Sequence, residues 1–217
     1  MYQQFKTHSP KITFQITFAG IMLGLVLLFT FLNRFLAFYG FLKFDFSIIF
    51  ITITYIVAGW KPTLLILLLR FFIAPSYNEG YTSLGFLGQG VLLIVSLLYI
   101  GSLWISHYLF NFKNKHLTKI VQFTFASLVT IIIINILNIF LINPLFFSIF
   151  ENRFVNFYMI IDNWETYKTL FFLLPNYFLG SLALYSSFNV ILLVITSLTC
   201  YAVTEGYEKI HKNGIQL

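Results

Sequence analysis

Phe41-Leu42-Lys43-Phe44-Asp45-Phe46-Ser47 opens the stretch that decides the fold, which runs on to Gly90. Two apolar segments follow, Phe46 to Trp60 and Thr63 to Ala74, separated by Lys61-Pro62. A polar loop, Pro75-Ser76-Tyr77-Asn78-Glu79-Gly80-Tyr81-Thr82, precedes the next long apolar run. A helix rises about 1.5 Å per residue, and a bilayer core takes roughly 20 apolar residues to cross. Both segments fall short, and charges stand where they end. Short or Pro/Gly-interrupted membrane segments beside polar loops are where transporters tend to build substrate sites.

The rest of the chain says what solvent surrounds that stretch. Of 217 residues, 59% are hydrophobic and 9% charged, against about 25% charged in a soluble domain. Mean hydropathy is +0.88. The apolar runs are continuous and do not alternate with period two, so the expectation is helices and not a barrel. Spanning segments are read at Ile12 to Leu32, at the short pair, at Leu84 to Phe110, at Ile120 to Ile142, and within Leu170 to Val203 after Pro175. The expected fold is all-α integral membrane: six transmembrane helices in one compact bundle, a single domain over residues 1–217.

Lys and Arg set the orientation. With six helices both termini share a side, which then holds eight lysines against Glu205 and Glu208. The other side holds Arg34, Lys43, Arg70, Arg153 and Lys168 against five acids. Both termini are therefore expected in the cytoplasm. The basic excess reports topology and gives no reason to invoke nucleic acid. The first run is longer than a signal-peptide core and lacks a small-residue cleavage site, so none is expected. Cys200 lies alone in an apolar helix, a small core side chain.

Catalysis finds little support. There is no phosphate-binding G-x-x-x-x-G-K-[ST] loop, and no soluble segment could hold an ATPase fold. His8, His107, His116 and His211 are dispersed, and none stands in a metal-ligating spacing with Glu. No enzyme activity, metal or cofactor is expected. Binding is better served. Lys43, Asp45, Arg70 and Glu79 map to the outer side and would form a polar cup, since charges at membrane depth are costly. Asp45 can also cap a helix. Arg70 either snorkels to the interface or pairs with Asp45 or Glu79. Asn135, Asn138, Asn176 and Asn189 could bond between helices or to a ligand, with Asn138 and Asn176 preferred as contacts. The connection Asn143 to Thr169 is apolar in its middle and suits an interfacial segment or a lid, with Trp164 and Tyr167 at headgroup level. Ala19-Gly20-Ile21-Met22-Leu23-Gly24 gives the first helix a small-residue face that serves either internal packing or a partner helix.

These stretches resemble the substrate-binding S-components of energy-coupling factor (ECF) vitamin transporters, the riboflavin-specific branch most of all. Phe41 to Ile49 is similar to that branch's entry into its second helix. Leu67 to Arg70 followed by Tyr77 to Ser83 resembles its third helix and Asn-Glu-Gly loop. Asn138-Ile139-Phe140-Leu141-Ile142-Asn143-Pro144 resembles its fifth-helix end. The resemblance implies a multi-pass subunit of the cell membrane that captures riboflavin outside the cell. Lys43, Asp45, Asn78, Glu79, Thr82, Asn138 and Asn176 would contribute polar contacts, and Leu84 an apolar wall. It also implies a T-component, docked at Ala19, Gly20 and Gly24, and two ATPase subunits. Folate or thiamine is the alternative cargo. An assembly subunit of a membrane complex, with no ligand, is the alternative class.

Overall fold

The computed structural model describes residues 12–77 and 79–212. Nearly everything in it is helical. Helix α1 (Ile12–Leu32) leads through a tight turn, Asn33–Phe35, into a small antiparallel hairpin of β1 (Ala37–Tyr39) and β2 (Leu42–Lys43). Then come α2 (Ser47–Ala58), α3 (Trp60–Ile73), α4 (Ser83–Leu109) and α5 (Lys115–Leu137). The fifth helix continues through a wide π turn, Asn138–Ile142, into α6 (Asn143–Phe150). Two short helices, α7 (Phe157–Asp162) and α8 (Trp164–Tyr167), precede the long α9 (Tyr177–Lys212).

Four of these helical stretches are long and apolar enough to cross a membrane: Ile12–Phe35, Ser83–Leu109, Lys115–Phe150 and Tyr177–Lys209. The short pair is built differently. Helices α2 and α3 have 12 and 14 residues, about 18 and 21 Å at 1.5 Å per residue, against a bilayer core of about 30 Å. Gly59 joins them with φ 86° and ψ −170°, a left-handed backbone that suits glycine. One residue thus reverses the chain. The turn was expected at Lys61-Pro62; those residues instead sit in the first turn of α3, where proline's missing N–H costs nothing.

A short helix survives here because other helices surround it. Helix α2 buries Ile48, Ile49, Ile51, Ile53 and Tyr55 on several sides in the main core, with Val26, Ile66, Tyr99, Phe123 and Leu192. Its threonines satisfy themselves: Thr52 Oγ1 donates to the Ile48 carbonyl at 2.8 Å and Thr54 Oγ1 to that of Phe50 at 2.7 Å. That is how a polar side chain is tolerated without water. Cys200 is buried there as well.

The fifth segment was expected to run from Ile120 to Ile142, just short of Pro144. The helix continues to Phe150 because it widens: the Asn143 N–H bonds the Asn138 carbonyl five residues back. Proline has no N–H for the carbonyl four residues earlier, and a π turn absorbs that misfit.

A second core lies over the end of the bundle that carries the hairpin. Ile139, Phe147, Val155, Ile160, Trp164, Tyr167, Phe171, Tyr177 and Leu184 pack together there. Trp164 and Tyr167 therefore point inward, each 6% exposed, and not toward a headgroup layer as expected. Trp164 Nε1 donates to the Leu174 carbonyl at 2.9 Å. The close approach needs Gly180, where an added Cβ would sit 2.8 Å from the indole. The segment from Glu151 to Leu174 is folded back as a cap.

Candidate functional site

The site begins with a buried ion pair. Arg70 is 2% exposed and Asp45 1%, and Arg70 Nη2 meets Asp45 Oδ2 at 2.6 Å. Asp45 Oδ2 also accepts from Asn33 Nδ2 at 3.1 Å, and its Oδ1 accepts from the Ser47 N–H at 2.9 Å. Arg70 Nε donates to Thr30 Oγ1 at 3.1 Å. Of the two readings of Arg70, the ion pair holds and snorkelling does not. Asp45 is a helix-entry acceptor and a charge partner at once. With its oxygens so engaged, and absent from the walls of the cavity described next, it clamps α1, α2 and α3 together.

Around this clamp the chain builds a cavity of about 370 Å³. Its mouth carries Lys43 from β2 and Glu79 from the loop before α4, paired at 3.2 Å. Its walls come from Leu84, Gly88 and Gln89 of α4, from Asn138 and Asn143 at the π turn, and from Tyr185 and Phe188 of α9. Phe41, Phe146 and Phe150 add aromatic faces. Phe41 stacks on Phe146 with centroids 4.5 Å apart, and Phe146 on Phe150 at 5.9 Å. Gly40, with φ 54°, makes the tight hairpin turn that delivers Phe41.

Four of the expected contacts, Lys43, Glu79, Leu84 and Asn138, thus line one cavity. Thr82 does not: its Oγ1 accepts from the Gly85 N–H at 3.1 Å and donates to the Glu79 carbonyl at 3.1 Å, so it caps α4. Asn176 does not either. It is exposed, and its Oδ1 accepts from the Leu179 N–H at 2.9 Å at the start of α9. Both are small polar residues before an apolar run, where capping competes with ligand binding. Asn78 lies outside the described residues. Asn135 bonds Ser186 at 2.8 Å, and Asn189 bonds the Tyr185 carbonyl at 2.8 Å.

The cavity also recruits residues that sequence reading passed over: Asn33, Gln89, Asn143, Tyr185 and the phenylalanines. Asn143 is fully employed. Its Nδ2 donates to Tyr177 at 3.0 Å and to Ser181 at 3.4 Å, while Tyr185 donates to its Oδ1. Others are not. Gln89 Oε1 and Asn33 Oδ1 are buried with no hydrogen-bond partner among the described residues. The Asn138 side chain is buried and makes no hydrogen bond among them. A buried polar group left unpaired costs about 1–3 kcal/mol. A Gln inside an apolar run was the available signal for that residue.

The cap over the site has its own polar anchor. Tyr167 donates to Glu151 Oε1, and Arg153 Nε lies 2.6 Å from Glu151 Oε2. The Tyr167 phenol, then Arg153, holds the Glu151 carboxyl below its usual range. Burial, then Glu151, pushes the Tyr167 phenol up. The hairpin touches the cap through Tyr39, whose hydroxyl donates to the Thr169 carbonyl at 2.9 Å.

At the far end of the bundle, Lys119 bridges α5 to α9 through Glu205 at 2.5 Å and Glu208 at 2.9 Å. No group of three or more His, Cys, Asp or Glu is placed to hold a metal among the described residues. On α1, Gly20 and Gly24 are exposed, and a Cβ at either would meet nothing within 4 Å. Their face is not used for internal packing; Ala19 beside them is half-buried. Compared with known proteins, the chain matches no family model, no curated protein and no solved structure.

Proposed function

We propose that this chain is the substrate-binding subunit of an ATP-driven vitamin importer of the ECF type, with riboflavin as its cargo. In this reading six segments cross the cell membrane, both termini are cytoplasmic, and the cavity opens to the outside. The observation that carries the reading is the cavity itself. Its 370 Å³ fall within the roughly 300–1,000 Å³ of small-molecule sites. Stacked phenylalanines supply flat apolar walls, and buried amides supply a few polar contacts. That suits a planar ring.

The charge at the mouth favours a neutral cargo. Lys43 and Glu79 neutralise each other, which leaves no net charge to attract folate's carboxylates or thiamine's cation. Transport then needs energy from elsewhere: a T-component seated on the open Ala19, Gly20 and Gly24 face of α1, and two ATPase subunits. An assembly subunit without a ligand would use the same α1 face and leave the cavity empty.

Purified protein separates these readings. Riboflavin added in excess and then removed by gel filtration should leave flavin absorbance with the protein, unaffected by thiamine or folate competition. No retained flavin would refute the riboflavin assignment. Retention of thiamine or folate would redirect it, and failure of all three would favour the assembly subunit.

A further inference from the structure

Gln89 stands in the second turn of α4, 5% exposed, on the cavity wall. Of the other buried amides in this half of the bundle, Asn143 is held by Tyr177 and Tyr185 and Asn189 by its own helix. Asn135, which bonds Ser186 through Nδ2, and Asn33, which bonds Asp45 through Nδ2, each keep an Oδ1 without a partner among the described residues. Asn135 lies off the cavity wall, however, and Asn33 is already tied to the ion pair. Gln89 Oε1 has no partner among the described residues, and neither does the Asn138 side chain. Two unpaired amides on neighbouring helices, bordering one aromatic-walled cavity, call for a ligand with matching groups.

We propose that Gln89, with Asn138, reads an amide or imide edge of a planar heteroaromatic ring, meaning a ring N–H flanked by a carbonyl. A side-chain amide holds one acceptor and two donors in a plane. It can therefore meet an N–H and a C=O side by side, as Gln and Asn meet the paired edge of adenine. Phe41, Phe146 and Phe150 would supply the faces for the ring. The proposal rests on the reading that the cavity is a ligand site, and it deepens that reading by naming the chemical group recognised and the residue that selects it.

The test compares riboflavin with 3-methylriboflavin, in which the imide N–H is blocked, on wild-type and Gln89→Met protein. Wild type should prefer riboflavin by about tenfold or more, and Gln89→Met should lose most of that preference. Ligand-free Gln89→Met should melt about 2–4 °C higher, because it removes an unpaired amide. A preference that survives in Gln89→Met, or a lower ligand-free melting temperature, overturns the proposal. If wild type does not bind riboflavin, lumazine and xanthine, set against their N-methylated forms, carry the same edge. A melting-temperature shift by the unmethylated rings alone, lost in Gln89→Met, supports the edge reader and refutes the riboflavin assignment. If no ring of this set shifts wild type, both readings fall.

Discussion

Arg70 Nη2 lies 2.6 Å from Asp45 Oδ2, with both side chains buried, and the pair joins α2 and α3 at the end opposite Gly59. Two helices too short to span alone are thereby pinned as a hairpin, and the end of α1 joins them through Thr30 and the following Asn33. Removing one partner leaves a charge uncompensated. Arg70→Met should cost about 3–5 kcal/mol, and adding Asp45→Asn should recover most of it. Thermal melts in detergent read this directly. A double variant whose loss equals the sum of the two single losses would show the two residues acting independently.

Gly180 sets how closely the cap sits on α9. A Cβ there would lie 2.8 Å from the Trp164 ring and 2.9 Å from Phe171 Cβ. Gly180→Ala should destabilise by about 1–3 kcal/mol through overpacking. With Trp60 and Trp104 replaced by phenylalanine, Trp164 emission should shift to the red as the indole leaves its pocket. Unchanged emission and melting would mean that the cap does not rest on this contact.

The cap should also respond to acid, in one direction. The folded-state pKa of Glu151 is depressed by Tyr167 and Arg153, so its contribution is present above the ordinary carboxylate value. It is lost as pH falls through the lower folded value. Protease cleavage within residues 151–174 should stay constant from neutral pH down to the ordinary glutamate range and rise below it. Glu151→Gln should abolish that rise. Loosening on the alkaline side of neutrality alone would contradict the assignment.

Gly88 borders the cavity, and a Cβ there meets nothing within 4 Å. Gly88→Leu should strengthen α4 by up to about 1 kcal/mol through helix propensity while filling part of the binding volume. Stability should rise and riboflavin affinity should fall. The two measured together, by melting and by fluorescence titration, separate a filled site from a damaged fold. Undiminished affinity would place the ligand elsewhere.

Much of this architecture was legible in the chain before folding. The short pair showed itself by length, and its charges by position: Lys43, Asp45, Arg70 and Glu79 gather at one end of the bundle. What each charge does was not legible, because a helix-entry Asp and a last-turn Arg satisfy capping, snorkelling and pairing rules alike until distances decide. The π turn hid behind a proline rule that ends helices more often than it widens them. Gln89 hid in an apolar run, since one amide amid leucines carries no periodicity. Thr82 and Asn176 misled for the opposite reason: polar residues before a helix look available and are consumed by its first N–H groups. Trp164 and Tyr167 follow interfacial composition, yet the cap folds inward and buries them.

The most direct test of the central claim is riboflavin affinity measured by fluorescence quenching on Asn138→Ala and Asn176→Ala side by side. Asn138 borders the cavity and Asn176 caps α9 away from it. The expected result is a loss of about tenfold or more for Asn138→Ala and an affinity near wild type for Asn176→Ala. An Asn138→Ala protein that binds as wild type does, or a loss confined to Asn176→Ala, would contradict the cavity as the vitamin site.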